Sequence, residues 1–103
     1  MTIKELIVKI KEENLTRIQL EDYYEELTSL YGLIQLEMAE KEKAEAMYFL
    51  ENKKDGEVER ADVAIKRMWR GTPQGQRLIE LSHYHKAVEK LLSSVKHRIF
   101  SQL

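Results

Sequence analysis

The chain has 103 residues, of which 43% are hydrophobic and 34% charged, with four glycines, one proline, no cysteine and a net charge of −1. This length suits one domain with one modest core, and so much charge with so little Pro and Gly is typical of long exposed helices. The composition excludes disulfides and thiolate metal sites. No apolar run approaches the roughly 20 residues that cross a bilayer, and the first residues lack a signal-peptide core, so we expect a cytoplasmic protein without membrane contact.

Two capping boxes mark the first helix starts. Thr2 with Glu5 predicts a short first helix, and Thr16 with Gln19 predicts a second helix that runs to about Glu51. The first helix has one apolar face, formed by Ile3, Leu6, Ile7 and Ile10. The pattern leaves open whether a turn separates the two helices or one helix continues with a kink.

The second helix has an apolar stripe at helical spacing. Its members are Leu20, Tyr24, Leu27, Tyr31, Ile34 and Met38. The charged segment 40–43 predicts a break, after which the stripe resumes in a shifted register with Ala44, Met47, Tyr48 and Leu50. Gly32 lies within this helix at a cost of about 1 kcal/mol relative to Ala, which points either to a close helix approach or to a bend.

Residues 52–56 form the clearest predicted loop, and Gly56 suits the positive φ that ends a helix. We predict no strand there, because Asp55-Gly56 is not flanked by alternating β-branched residues. A third helix is predicted from Glu57 to Arg70, with Gly71 closing it.

The fourth helix has the strongest pattern in the chain. Thr72 as N-cap and Pro73 as first residue predict its start, and it continues nearly to the C-terminus. Its heptad a and d positions are Leu78, Leu81, His85, Val88, Leu92, Val95 and Ile99, and the g positions Tyr84 and Leu91 widen the stripe.

These elements together predict an all-α fold with a single helical domain over residues 1–103. Two long antiparallel helices form a hairpin, and two shorter helices pack at its ends. The long helices present more apolar surface than one short chain covers. We therefore expect a coiled-coil-like homo-oligomer, in the simplest case a homodimer, that uses the a, d and g residues of the fourth helix as its interface.

Charge is segregated along the sequence. Residues 1–50 contain eleven Asp/Glu and six Lys/Arg, whereas residues 66–103 contain eight Lys/Arg and two Glu. The basic set is Lys66, Arg67, Arg70, Arg77, Lys86, Lys90, Lys96 and Arg98. These residues either pair with the acidic second helix or follow a nucleic-acid backbone. The start of the fourth helix, with Arg67, Arg70 and Arg77 nearby, also fits a small anion.

No residue set has the spacing of a catalytic or metal site. His83 and His85 are two residues apart and point in opposite directions on a helix, and His85 is expected to face a partner helix. The acidic cluster of Glu21, Asp22, Glu25 and Glu26 is explained by the positive end of the helix dipole. We expect no enzymatic activity, no catalytic residue, no metal and no cofactor.

The segment Arg67-Met68-Trp69-Arg70-Gly71-Thr72-Pro73-Gln74-Gly75-Gln76 leads into a long Leu/Lys helix and resembles small helical proteins encoded by phages and prophages. The resemblance covers about residues 60 to 100 and implies a mobile-element accessory protein in a bacterial cytoplasm. Such proteins aid replication or recombination, or block a host defence. We expect a non-enzymatic protein that binds another protein, for example as an inhibitor. A nucleic-acid binder and a structural oligomerisation module are the alternatives.

Overall fold

The computed structural model describes residues 2–56 and 58–102. Within them lie the helices α1 (Ile3–Ile10), α2 (Arg17–Asn52), α3 (Asp62–Arg70) and α4 (Pro73–Ser101). Two short strands, β1 (Lys54–Asp55) and β2 (Val58–Glu59), lie between α2 and α3. The predicted all-α fold with two long and two short helices is confirmed.

The predicted caps define the first two helices. The N–H of Glu5 donates to the hydroxyl of Thr2 (3.2 Å), which begins α1. The N–H of Gln19 donates to the hydroxyl of Thr16 (3.1 Å), and the N–H of Thr16 donates to the side-chain oxygen of Gln19 (2.8 Å). The residues between α1 and α2 are not helical, so these are two separate helices.

Packing divides the described residues into two compact units, and each takes one part of α2 and one part of α4. Unit 1 comprises residues 2–34 and 84–102, and unit 2 comprises residues 35–56 and 58–83. The single-domain assignment made from the sequence stays a prediction.

In unit 1 the segments of α2 and α4 run antiparallel. Tyr31 stacks on His85 with ring centroids 4.5 Å apart, and the side-chain amide of Gln102 donates to the carbonyl of Leu15 (3.2 Å). Residue numbers therefore rise along one segment as they fall along the other. The buried core of unit 1 consists of Leu6, Ile10, Leu15, Leu20, Leu27, Ile34, Val88 and Val95. Burying each such side chain contributes about 1.5–3 kcal/mol.

The end of α1 is fixed by Arg98. Its guanidinium donates to the carbonyl oxygen of Ile10 and to that of Glu12, the latter at 3.0 Å. Carbonyls at a helix C-terminus lack partners within the helix, and a cation there also complements the helix dipole. The sequence analysis predicts Arg98 as a possible nucleic-acid contact, but its guanidinium is hydrogen-bonded to these carbonyls within unit 1.

Unit 2 is built around α3 and its junction with α4. Its core includes Ile65, Trp69 and Leu81. The ring of Tyr48 lies 5.5 Å from that of Trp69. The hydroxyl of Thr72 donates to the Trp69 carbonyl (2.6 Å) and accepts from the N–H of Gly75 (3.0 Å). This N-cap confirms the predicted start of α4 and leaves Gly75 buried.

The loop between α2 and α3 is more ordered than predicted. Residues 54–55 pair antiparallel with 58–59, and the N–H of Arg60 donates to the Lys53 carbonyl (2.8 Å). Gly56 has the expected positive φ, of 65°. The prediction of no strand here was wrong, because Gly56 directly follows the ladder residue Asp55 with a positive φ, and glycine at the first loop position is itself a hairpin signal. α3 consequently begins at Asp62, and Glu57, its predicted start, lies outside the described residues.

The predicted shift in the α2 stripe was also wrong. Residues 38, 41, 45, 48 and 52 are all half-buried, so the inward register continues without a break. Two of these positions are Lys41 and Glu45, whose aliphatic stems can be covered while the charged ends stay in water. Of the four residues predicted to resume the stripe, Ala44 and Tyr48 are half-buried, whereas Met47 and Leu50 are exposed.

Candidate interaction surfaces

The heptad stripe of α4 is largely occupied within the chain. Its d residues Leu81, Val88 and Val95 are buried. The a and g residues, Leu78, Tyr84, His85, Leu91, Leu92 and Ile99, are half-buried. The use of this stripe as an oligomer interface stays a prediction, but a second copy would have only the half-buried side chains to contact.

His85 faces the neighbouring helix, as its a position predicted. Its ring stacks on Tyr31, and its Nδ1 lies 4.0 Å from a carboxylate oxygen of Glu89. The carboxylate is exposed and one turn away on the same helix, so it contributes little to stability. The stacking explains why a polar side chain is accommodated at this half-buried position.

One basic residue of α4 pairs with the acidic helix. The Nε and Nη2 atoms of Arg77 lie 2.6 and 2.9 Å from the two carboxylate oxygens of Glu37, and Arg77 also contacts Glu80. The hydrogen bond from Arg77, and then its charge, lower the pKa of Glu37 below its usual value. Hydrogen bonding to Glu37 in turn raises the pKa of Arg77. Such bidentate geometry is specific for Arg and carboxylate.

The other members of the basic set remain free. Of the eight basic residues, only Arg77 and Arg98 have side chains that are hydrogen-bonded to residues 2–56 and 58–102. The six exposed cations without such a partner are Lys66, Arg67, Arg70, Lys86, Lys90 and Lys96. Pairing with the acidic second helix therefore accounts for one of the eight residues of the basic set. The six cations without a partner are available to bind another molecule.

Three of these cations lie on the same face of α3 as an exposed apolar residue. Val63 is 69% exposed. Lys66 and Arg67 lie one turn after it on the same face, and Arg70 lies two turns after it. Ile65 and Trp69 bury the opposite face of the helix, so α3 is held in place while this α3 face (Val63, Lys66, Arg67 and Arg70) points to solvent.

A smaller basic surface lies on the outer side of α4 in unit 1. Lys86 and Lys90 are exposed and one turn apart, and His97 lies on the same side two turns after Lys90. Lys96 is exposed as well but is turned toward the flank of the helix. The spacing of Lys86 and Lys90 fits contact with phosphates, which is the chemistry of the nucleic-acid alternative.

The start of α4 is a weaker anion site than the sequence suggested. The hydroxyl of Thr72 already accepts from the N–H of Gly75, and Arg77 is held by Glu37 and Glu80. Of the cations predicted to assist there, only Arg67 and Arg70 are free. Among residues 2–56 and 58–102, no three His, Cys, Asp or Glu side chains are arranged to hold a metal ion.

Sequence reasoning missed one surface. The side of α2 that faces away from its inward stripe exposes Leu36, Met47 and Leu50 within unit 2. The signal was present in the spacing of these residues. The charged segment 40–43 is not a break in the inward stripe, because Glu40 and Lys43 belong to this second, outward one.

No helix in the described ranges is both long and apolar enough to cross a membrane. No protein family, curated protein or solved structure matches the chain.

Proposed function

We propose that the chain is a non-enzymatic accessory protein that binds another protein through the α3 face and also self-associates. The observation that supports this most directly is an exposed Val63 next to three unpaired cations on the same face of an anchored helix. Protein interfaces combine an apolar centre with a polar rim. The charges would select an acidic partner surface, and Val63 would supply the desolvated contact.

Residues 67–76 bear on the source of the protein and on the compartment in which it acts. The resemblance of residues 67–76 to phage and prophage proteins supports a mobile-element protein that acts in the bacterial cytoplasm. Blocking a host defence or nucleic-acid enzyme by covering an acidic surface fits the charge of the α3 face. An inhibitor of this kind acts by occupying the acidic surface of its target and needs no catalytic residue.

The runner-up is a nucleic-acid binder, and the specific observation in its favour is the Lys86 and Lys90 pair on α4. Such a protein would bind labelled DNA or RNA with an affinity that falls steeply with salt. Arg70→Glu combined with Lys90→Glu would then abolish binding. A purely structural oligomerisation module would show neither activity.

The test is capture from a bacterial lysate with the tagged chain, with and without nuclease, read by mass spectrometry. We expect a stoichiometric protein that survives nuclease and is lost when Lys66, Arg67 and Arg70 are all replaced by Glu. The control replaces Lys86 and Lys90 by Glu and should retain the partner. Capture that vanishes with nuclease would contradict the proposal and favour nucleic acid.

A further inference from the structure

The exposed side of α2 in unit 2 has its own heptad. Leu36, Met47 and Leu50 are 66%, 55% and 82% exposed. Glu40 and Lys43 lie on the same side, since positions 36, 40, 43, 47 and 50 follow alternating steps of four and three. We call these five residues the outward α2 seam. At 100° per residue it lies about half a turn away from the inward stripe.

The seam has mirror symmetry about the midpoint between residues 41 and 42. Leu36 and Met47 are equidistant from that midpoint and are both apolar. Glu40 and Lys43 are equidistant from it and have opposite charges. Continuing along the sequence, the mirror position of Leu50 is residue 33, which is also leucine.

This symmetry is the one that a two-fold antiparallel helix pair requires. In a two-fold interface the same surface of each copy contacts the other, so residue i meets j and j meets i. Leu36 would then meet Met47 of the second copy, and Glu40 would meet Lys43, each contact occurring twice. A parallel arrangement would place Glu40 against Glu40 and Lys43 against Lys43, which is unfavourable.

The surroundings of the seam leave room for a second helix. Ala39 and Ala46 border it on one side and are exposed, and small side chains allow helix axes to approach to about 8 Å. The side chains of Glu40 and Lys43 have no partner among residues 2–56 and 58–102. Both charges are therefore available to a second copy.

We propose that the chain forms an antiparallel homodimer through the outward α2 seam. This assignment rests on the self-association proposed above and places it on α2 instead of the α4 stripe. The seam from Leu36 to Leu50 is about 21 Å long at 1.5 Å per residue, which is short for a permanent interface. The dimer should accordingly dissociate on dilution.

The apolar contact is tested by analytical ultracentrifugation of the full chain over a concentration series. Leu36→Ser should raise the dimer dissociation constant roughly tenfold or more, since both copies lose the contact. The matched control Val8→Ser removes a 64% exposed side chain from α1 and should leave association unchanged. Circular dichroism should show equal helicity for all three proteins.

The charge contact is tested by two reversals and their mixture. Glu40→Lys and Lys43→Glu should each weaken self-association roughly tenfold, because each creates like charges across the two-fold axis. Mixed in equal amounts, the two variants should associate, since each has the charge that the other lacks. This rescue depends on the antiparallel register and does not arise from a general effect on folding.

Three results would overturn the assignment. A wild-type chain that is monomeric at all concentrations would remove self-association altogether and leave the seam to a helix of another protein. A dimer unaffected by Leu36→Ser would place the interface elsewhere, for example on α4. Single reversals without effect, or a mixture without rescue, would exclude the antiparallel register. None of these results bears on the partner proposed for the α3 face.

Discussion

Replacing Gly75 by Ala combines two effects on stability that have opposite signs, steric overlap and a higher helix propensity. An ideal Cβ on Gly75 would lie 1.9 Å from the carbonyl oxygen of Trp69 and 2.7 Å from its carbonyl carbon. These are backbone atoms, so no rotamer change relieves the overlap. The junction between α3 and α4 would have to open, and the hydrogen bonds of Thr72 that close it would be strained.

The magnitude follows from the separate contributions. Overpacking costs about 1–3 kcal/mol, and loss of an N-cap hydrogen bond costs about 1 kcal/mol more. The higher helix propensity of Ala offsets about 1 kcal/mol of this. We therefore expect Gly75→Ala to lower the free energy of unfolding by about 2 kcal/mol.

The matched control is Gly32→Ala in α2. A Cβ on Gly32 meets no atom within 4 Å, so only the propensity effect applies. This variant should be stabilised by about 0.4–1 kcal/mol. The open space also argues that Gly32 is not required for close helix approach within the described part of the chain.

Urea unfolding followed by circular dichroism and by tryptophan fluorescence measures both variants. Trp69 is the single tryptophan and lies in the core of unit 2, so its fluorescence reports on the junction directly. If Gly75→Ala were as stable as the wild type or more so, helix propensity would determine the stability at this position. The inference that α4 approaches the Trp69 carbonyl too closely for a Cβ would then be wrong.

Two further predictions concern the core and the ion pair. Leu27→Ala should cost about 2–5 kcal/mol in urea unfolding, because Leu27 is fully buried. Ile18→Ala, at a 71% exposed position on the opposite side of α2, should change stability by less than about 0.5 kcal/mol. Equal effects of the two substitutions would refute the assigned register of α2. The pKa of Glu37 is lower in the folded chain than in the unfolded chain, where it is about 4.3. The pair with Arg77 therefore stabilises the folded chain at pH values above about 4.3, and this stabilisation is lost as the pH falls through the folded pKa of Glu37. Glu37→Gln should thus be less stable than wild type at neutral pH, and the difference in the free energy of unfolding should shrink as the pH is lowered. A difference that is the same at every pH would show that the ion pair with Arg77 is not its cause.

Much of the fold could be predicted because its signals are local. Thr2, Thr16 and Thr72 begin helices by hydrogen bonds to residues only three positions away, which one sequence segment is enough to specify. The heptad of α4 likewise reflects the period of a single helix. The interaction surfaces were predictable only as sets of residue types, since the sequence shows eight cations but not which of them bond to other parts of the same chain.

The sequence by itself therefore determined the helices, their caps and the segregation of charge, because these depend on neighbours along the chain. Tertiary structure decided which side of α2 is covered, that Lys41 and Glu45 lie on its inward register, and that Arg77 and Arg98 are engaged while the α3 cations are free. It also decided that Gly75 must lack a side chain. Each of these depends on atoms from distant segments that meet only in the folded protein, so no local pattern encodes them.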